Sequence, residues 1–293
     1  MAESLLVDAQ WLQEHLHDHD LLIVDTRGAS DYQDGHLPGA INLPSAELFD
    51  PDGLGSAMRA TAELEKRLGS AGIDSEQYLV LYDSSGLVPS AKVFWVLEHL
   101  GRSRVALLNG GFPRWVSLSF PTEQGSVRPA PATFHAAPPA ETERDGGGAG
   151  GPGDGVQPEE AHSVTRDNVA DKDDVLAGIS REDTVIIDSR TPEEYYGRTG
   201  EHVRNGHIPG ARNVDWQQHI ADLFDPTLMP IPELAELYKD IGVNRDSRII
   251  TYCRTASRSS HTYFVLRLLG FEHIRNYAGS WMEWCADESL PIE

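Results

Sequence analysis

A cysteine flanked by two arginines at a strand-to-helix turn is the part of this sequence best suited to do chemistry. Cys253 follows the apolar run 249–252 and is followed by Arg254 and Arg258. Cationic side chains and the free N–H groups at a helix start both stabilise a thiolate relative to a thiol. The segment is therefore predicted to hold a nucleophilic thiolate, with a helix beginning near Ser259.

Composition limits the classes of protein to consider. The chain has 293 residues, 40% of them hydrophobic, and a formal net charge of −22. That charge should repel nucleic acid and anionic membranes, and no apolar run approaches the roughly 18 residues that span a bilayer. Two cysteines and an N-terminus without a basic, cleavable leader fit a reducing compartment, so we expect a cytoplasmic protein without nucleic-acid or membrane partners.

The sequence contains the same pattern twice. The run 22–27 (LIVDTR) returns as 185–190 (VIIDSR), and the Gly-His-x-Pro-Gly-Ala motif at 35–40 returns at 206–211. The strand-like run that ends at Asp83 matches the one that ends at Cys253. Two copies of one domain account for this repetition.

Each copy alternates short apolar runs with segments of helical period, which predicts an α/β domain with a mainly parallel sheet flanked by helices. In such domains ligands bind beyond the carboxyl ends of the strands, which is the predicted position of Cys253. We place the first domain at residues 1–136, a flexible Gly-rich linker at 137–163 and the second domain at 164–293.

The two copies differ where chemistry is expected. Asp83 stands at the position of Cys253, and the following residues 84–90 contain no arginine. Asp83 provides no thiol, and a carboxylate does not attract an anion. The first copy is therefore predicted to be catalytically silent.

With these motifs the whole chain resembles the two-domain rhodaneses, and the run 277–284 (YAGSWMEW) adds to the likeness. The resemblance implies an inactive N-terminal domain, a persulfide on Cys253 and a substrate-binding arginine at Arg190. It also implies activity as a thiosulfate or a 3-mercaptopyruvate sulfurtransferase, which needs no metal and no organic cofactor.

Our hypothesis for the reaction is that the Cys253 thiolate takes the outer sulfur of thiosulfate and passes it to cyanide or a thiol. Arginine suits bidentate contact with an oxyanion, and inward-pointing N–H groups of the loop would add an anion nest. The loop of mercaptopyruvate-type members is small and neutral, whereas Arg254 and Arg258 present two positive charges here. Thiosulfate, which carries two negative charges, is therefore favoured over 3-mercaptopyruvate. The expected substrate-binding residues are Arg190, Arg254, Arg258, Thr255, Ala256 and Ser257.

Two rivals remain open at this point. A cysteine-dependent phosphatase needs five residues between cysteine and arginine, whereas four separate Cys253 from Arg258. A non-catalytic persulfide carrier, or regulatory binding module, would keep Cys253 and hand sulfur only to a protein partner.

Other conspicuous residues are expected to be structural. Cys285 has no cationic neighbour in sequence, and Arg198 is assigned to the surface. His36 and His207 occupy equivalent places in both copies, so a turn-stabilising role is expected. The same reasoning makes Asp188 a residue that fixes a strand end, and Trp281 and Trp284 anchors of a terminal helix.

Overall fold

A computed structural model describes the chain at residues 4–51, 57–127, 129–137, 167–200, 203–222 and 224–293. Within these residues the chain forms two five-stranded sheets in which every strand pair is parallel. Helices flank each sheet, and the two sheets have the same strand order. The predicted fold class, two tandem α/β domains, is confirmed.

The N-terminal sheet has the order β1-β5-β4-β2-β3. Its strands are β1 Leu6–Val7, β2 Leu21–Asp25, β3 Ile41–Asn42, β4 Tyr78–Tyr82 and β5 Val105–Leu108. Its helices are α1 Ala9–His15, α2 Ala29–Asp34, α3 Thr61–Ser70, α4 Val88–His99 and α5 Gly111–Ser117, with a 3₁₀ helix at Ser45–Leu48.

The C-terminal sheet repeats this arrangement with the order β6-β10-β9-β7-β8. Its strands are β6 Val169–Ala170, β7 Thr184–Asp188, β8 Arg212–Asn213, β9 Arg248–Tyr252 and β10 Ile274–Tyr277. Its helices are α6 Lys172–Ile179, α7 Pro192–Tyr195, α8 Ile231–Asp240, α9 Ser257–Leu268 and α10 Ser280–Ala286, with a 3₁₀ helix at Trp216–His219.

The sequence explains why β4 and β9 lie at the centre of their sheets. All five residues of β4 are buried, as are the last four of β9, because helices cover both faces. The registers also correspond, since Leu22 pairs with Leu79 in one sheet and Val185 with Ile249 in the other. The polypeptide then leaves β4 at Asp83 and β9 at Cys253, at equivalent edges of the two sheets.

Helices α4 and α9 pack against each other where the two domains meet. The rings of Phe94 and Phe264 meet edge to face with centroids 5.1 Å apart, and one apolar cluster includes residues of both domains. Beside them the buried Glu98 accepts hydrogen bonds from Arg267, at 2.8 Å, and from the Tyr263 hydroxyl. The N-terminal ends of both helices border one cleft between the domains, which is where the candidate site lies.

The predicted linker at 137–163 lies outside the described residues except for Ala137, so the domain limits stay predictions. In the described part of the chain, none of the helices combines the length and the apolar character needed to cross a membrane.

Candidate active site

Cys253 lies directly after β9, and the loop that follows it is short. The residue is 1% exposed. Ala256 adopts a left-handed conformation with φ of 61° and ends the loop. Helix α9 therefore begins at Ser257, two residues before the start predicted from the sequence. The unpaired N–H groups of its first turn face the loop that carries the cysteine.

Ser280 holds this loop in place. Its hydroxyl oxygen accepts from the N–H of Ala256 at 3.0 Å and from the N–H of Cys253 at 3.4 Å, and it donates to the carbonyl of Tyr277 at 2.8 Å. Ser280 has a φ of 52°, a strained value for a residue with a side chain. The serine thus fixes the backbone on both sides of the sulfur.

Ser280 was not singled out from the sequence, although a signal was present. In the aligned run that starts at Asn109 and Ala278, Gly111 of the first copy corresponds to Ser280 of the second. Gly111 also has a positive φ, of 53°. A residue with a side chain at a position where its repeat has glycine was the available clue.

Arg258 is paired with a carboxylate that the sequence analysis also missed. Its guanidinium donates to both carboxylate oxygens of Glu194, at 2.6 and 2.8 Å. Burial disfavours the charged form of Glu194, but the hydrogen bonds and charge of Arg258 outweigh it and lower the pKa of Glu194 to about 2. Glu194 is in turn held by the capping box that starts α7 at Thr191. Arg258 is thereby held rigidly beside the loop.

Arg190 is fully buried rather than open to the cleft. Asp188 accepts from its Nε at 3.0 Å and from its Nη2 at 2.6 Å, and the carbonyl of Gly206 accepts from Nη2 at 2.8 Å. The guanidinium lies 4.3 Å from the ring centroid of Trp281. Nη1 is the one nitrogen of Arg190 without a hydrogen-bond partner among the described residues. Asp188 also accepts from the Tyr252 hydroxyl at 2.6 Å, so this carboxylate does fix a strand end.

The remaining loop residues lie at the mouth of the site. Arg254 is exposed, Ala256 is buried, and Thr255 and Ser257 are half-buried. Thr255, Ser257 and Arg258 line a cleft of about 590 Å³. The opposite wall comes from the N-terminal domain, and it includes Ser85, Val88 and Lys92.

The residues expected to be structural do not line this cleft. Cys285 is a buried residue of α10, and Arg198 is exposed and packs on the Tyr196 ring. The Nδ1 atoms of His36 and His207 lie 2.8 and 3.0 Å from backbone carbonyls of the preceding helical segments. Trp281 and Trp284 are both buried in the C-terminal core.

In the N-terminal domain a carboxylate fills the equivalent loop. Asp83 accepts from the backbone N–H groups of Ser85 at 2.7 Å, Leu87 at 3.2 Å and Ser90 at 3.1 Å. Burial raises the pKa of Asp83, and these hydrogen bonds act in the opposite direction. The backbone N–H groups of the first copy of the loop are therefore already occupied by a carboxyl group of the protein itself.

A rhodanese-like domain matches the chain twice, at residues 8–118 and 171–287. The chain therefore belongs to the rhodanese-like family. Relatives similar along nearly their whole length are named as carriers or transferases of sulfur. They include the sulfur carrier protein TtuD of Thermus thermophilus, 32% identical over 99% of this chain and 96% of the relative. A thiosulfate sulfurtransferase of Azotobacter vinelandii is 30% identical over 99% and 97%.

Solved structures agree with this assignment. The structure of SseA from Escherichia coli, described as a 3-mercaptopyruvate sulfotransferase, superposes with a TM-score of 0.77 at 25% identity, covering 95% of this chain and 99% of that one. An anaerobic ergothioneine biosynthesis enzyme from Chlorobium limicola shares the fold with a TM-score of 0.80 at 22% identity, covering 99% and 70%. Within its family, the protein is a two-domain sulfurtransferase.

Proposed function

We propose that this protein is a thiosulfate sulfurtransferase that carries sulfur as a persulfide on Cys253. The observation that carries the proposal is the position of Cys253 at the start of a short loop before α9, beside a rigidly held Arg258. The N-terminal domain is silent in this scheme because its equivalent loop is filled by Asp83.

The reaction proceeds in two balanced steps. The Cys253 thiolate attacks the outer sulfur of thiosulfate, an S–S bond to Cys253 forms, and the S–S bond of thiosulfate breaks with release of sulfite. Cyanide or a thiolate then attacks the outer sulfur of the persulfide, takes it as thiocyanate or as a new persulfide, and regenerates the Cys253 thiolate. Each step moves one sulfur atom and conserves charge.

The loop residues have distinct roles in this scheme. The N–H groups of Thr255, Ser257 and the first turn of α9 stabilise negative charge on sulfur, and the left-handed Ala256 turns the chain so that the helix starts there. Arg258 stabilises charge on the departing sulfite, and Arg254 attracts the anionic donor from the loop surface. Nη1 of Arg190, which has no hydrogen-bond partner among the described residues, is the donor that Arg190 has available for an anion in this scheme.

The second candidate donor is 3-mercaptopyruvate, which the likeness to SseA favours. Thiosulfate carries two negative charges, whereas the carboxylate of mercaptopyruvate carries one. Arginines at both ends of the loop therefore favour thiosulfate, although Glu194 neutralises part of the charge of Arg258. Turnover of both donors with the same acceptor decides between them, and a clear preference for 3-mercaptopyruvate refutes the assignment of thiosulfate.

Mass spectrometry of the protein after exposure to thiosulfate tests the central step. We expect one added sulfur atom on the peptide that contains Cys253 and none after Cys253→Ser. The matched control is Cys285→Ser, since Cys285 is the other free cysteine and is equally buried. Sulfur addition or thiocyanate formation that survives Cys253→Ser contradicts the proposal.

The same protein exposed to cyanide distinguishes an enzyme from a carrier. Repeated turnover with cyanide or a small thiol supports the sulfurtransferase, whereas one equivalent of sulfur that only a protein can remove supports a carrier.

Two free cysteines suit a reducing compartment, and we place the protein in the cytoplasm on that ground. The net charge of −22 makes small anions and thiols better partners than nucleic acid.

A further inference from the structure

A buried lysine of the silent domain faces the catalytic loop of the other domain. Lys92 is the fifth residue of α4 and is 7% exposed. Its Nζ lies 3.9 Å from the centroid of the Phe49 ring. Lys92 lines the interdomain cleft together with Thr255, Ser257 and Arg258 of the C-terminal domain. The cleft wall opposite the loop residues that follow Cys253 thus contains a cation from the other domain.

The environment of this lysine is unusual for a structural residue. Taking an ammonium group out of water costs free energy, and burial lowers the pKa of Lys92 to about 8. The negative charge of a Cys253 thiolate acts in the opposite direction and raises it. Burial and the negative charge of a Cys253 thiolate thus act on the Lys92 ammonium in opposite directions, and an anion that entered the cleft would stabilise the ammonium.

We propose that Lys92 is a donor-binding residue supplied by the catalytically silent domain. Its ammonium contacts the sulfonate oxygens of thiosulfate while the outer sulfur faces Cys253, and it retains the developing sulfite dianion as the S–S bond breaks. This inference rests on the proposed function and adds a residue from the N-terminal domain to the same site.

The charges around the cleft support this role. Arg190 and Arg258 are paired with the carboxylates of Asp188 and Glu194. Lys92 shares the cleft with Arg258 on α9 and with Asp50, which lies just after the first 3₁₀ helix. A donor with two negative charges that lies between α4 and α9 would contact cations on both sides.

The pH dependence of donor binding follows from the same geometry. Lys92 is an ammonium below about pH 8 and becomes neutral as the pH rises through that value. The second-order rate constant for persulfide formation from thiosulfate should therefore fall above about pH 8. Lys92→Arg should move this fall in the rate constant to higher pH, because a guanidinium keeps its charge. Lys92→Gln should remove the fall, because the side chain has no charge to lose.

Rapid-mixing measurement of persulfide formation on Cys253 is the first test. Lys92→Gln should lower the second-order rate constant with thiosulfate by about ten- to hundredfold, and Lys92→Arg should restore most of it. The control is Lys66→Gln, which removes the same charge from an exposed position of the same domain and should leave the rate unchanged. An equal rate for Lys92→Gln and wild type overturns the proposal.

A second test does not depend on sulfur transfer. Below pH 8, the rates at which anionic iodoacetate and neutral iodoacetamide alkylate Cys253 are compared in each variant. Their ratio reports the positive potential at the sulfur and cancels any change in access. Lys92→Gln should lower the ratio severalfold, whereas Lys92→Arg and Lys66→Gln should not. An unchanged ratio in Lys92→Gln contradicts the inference even if the protein is inactive with thiosulfate. A lowered ratio without sulfur uptake refutes the proposed function alone.

Discussion

The two loops that follow β4 and β9 have the same place in the fold and opposite contents. After β4 the loop has five residues, 83–87, and N–H groups of this loop bind the carboxylate of Asp83. After β9 the loop has four residues, 253–256, and it begins with Cys253. Both loops end in a left-handed residue, Leu87 or Ala256, before a helix. One backbone design thus holds a carboxyl group of the protein in one domain and the proposed reactive sulfur in the other.

The proposed silence of the first domain has a physical cause beyond the missing thiol. The N–H groups of Ser85, Leu87 and Ser90 already have an acceptor, so the loop offers them to no ligand. In the second domain an uncharged thiol would be a weaker hydrogen-bond acceptor for backbone N–H groups than a carboxylate is. The backbone N–H groups of that loop stabilise the sulfur when it carries negative charge.

The largest effect on stability is expected for Asp83→Ala. Three backbone N–H groups lose their acceptor, and two of them, on Leu87 and Ser90, are buried. Each unsatisfied buried donor costs about 1 kcal/mol or more, so the free energy of unfolding should fall by about 2 kcal/mol or more. Cys253→Ala at the equivalent position should cost about 1 kcal/mol, since it removes only one buried atom. Chemical denaturation of both variants measures the difference.

Asp83→Asn is the control for this prediction. The amide keeps one carbonyl oxygen for Ser85 and Leu87 and loses the bond to Ser90, so its stability should fall between wild type and Asp83→Ala. Equal losses of unfolding free energy for Asp83→Ala and Cys253→Ala would contradict the prediction that the carboxyl group contributes more to the stability of its loop than the thiol does.

The largest effect on catalysis, other than loss of Cys253 itself, is expected for Arg258→Ala. The variant removes a cation and leaves the buried Glu194 carboxylate unpaired beside the loop, where it repels an anionic donor. The kcat/KM with thiosulfate should fall about hundredfold. Adding Glu194→Gln to Arg258→Ala should recover part of the loss, and no recovery would mean that Glu194 does not act on the donor.

Much of this architecture was predictable from the sequence because the repeat made it visible. The paired motifs predicted two domains with mainly parallel sheets, and the apolar run before Cys253 predicted that the thiol lies at the carboxyl end of a strand. The pairing of Arg258 with Glu194 was not predictable, since the two residues are far apart in sequence and Glu194 resembles an ordinary first-turn acid of α7. Lys92 escaped notice because its significance depends on domain packing, which no local pattern encodes.

A second contrast between the domains lies behind the two loops. His219, Tyr238 and His261 form a buried polar chain, with 2.8 Å between the Tyr238 hydroxyl and His219 Nε2 and 3.2 Å between the two Nδ1 atoms. The same positions of the corresponding N-terminal helices are occupied by Leu48, Leu68 and Lys92. Only the C-terminal domain therefore buries neutral imidazoles at this place.

This contrast predicts an acid sensitivity of the C-terminal domain. Burial lowers the pKa of His261 to about 3, and burial together with His261 lowers the pKa of His219. Unfolded histidines take up protons near pH 6.5 while the folded ones stay neutral, so stability is full above 6.5 and falls as the pH drops toward about 3. The expected slope is about 1.4 kcal/mol per pH unit for each histidine.

The variant that combines His219→Leu, Tyr238→Phe and His261→Leu replaces the buried polar chain with apolar side chains. Its unfolding free energy should depend less on pH between 6.5 and about 3 than that of wild type, as measured by denaturation at several pH values. Unaltered dependence would assign the acid sensitivity to carboxylates elsewhere in the chain.

The smallest expected effect concerns Ser280, whose counterpart in the first domain is Gly111. Ser280 accepts two backbone hydrogen bonds but has a φ of 52°. Ser280→Ala loses the hydrogen bonds and keeps the strained backbone, whereas Ser280→Gly loses the bonds and relieves the strain. The glycine variant should therefore be about 1 kcal/mol more stable than the alanine variant, as read from thermal unfolding.

Both Ser280 variants should form the Cys253 persulfide more slowly, because the N–H groups of Cys253 and Ala256 lose the acceptor that fixes them. The reverse exchange, Gly111→Ser, should not be tolerated, since a Cβ at Gly111 would lie 2.2 Å from the carbonyl oxygen of Asp83. If Ser280→Gly kept wild-type persulfide formation, the hydroxyl would have no part in positioning the loop. The strain at Ser280 would then have no catalytic counterpart, and the two loops would differ only in the group at position 83 or 253.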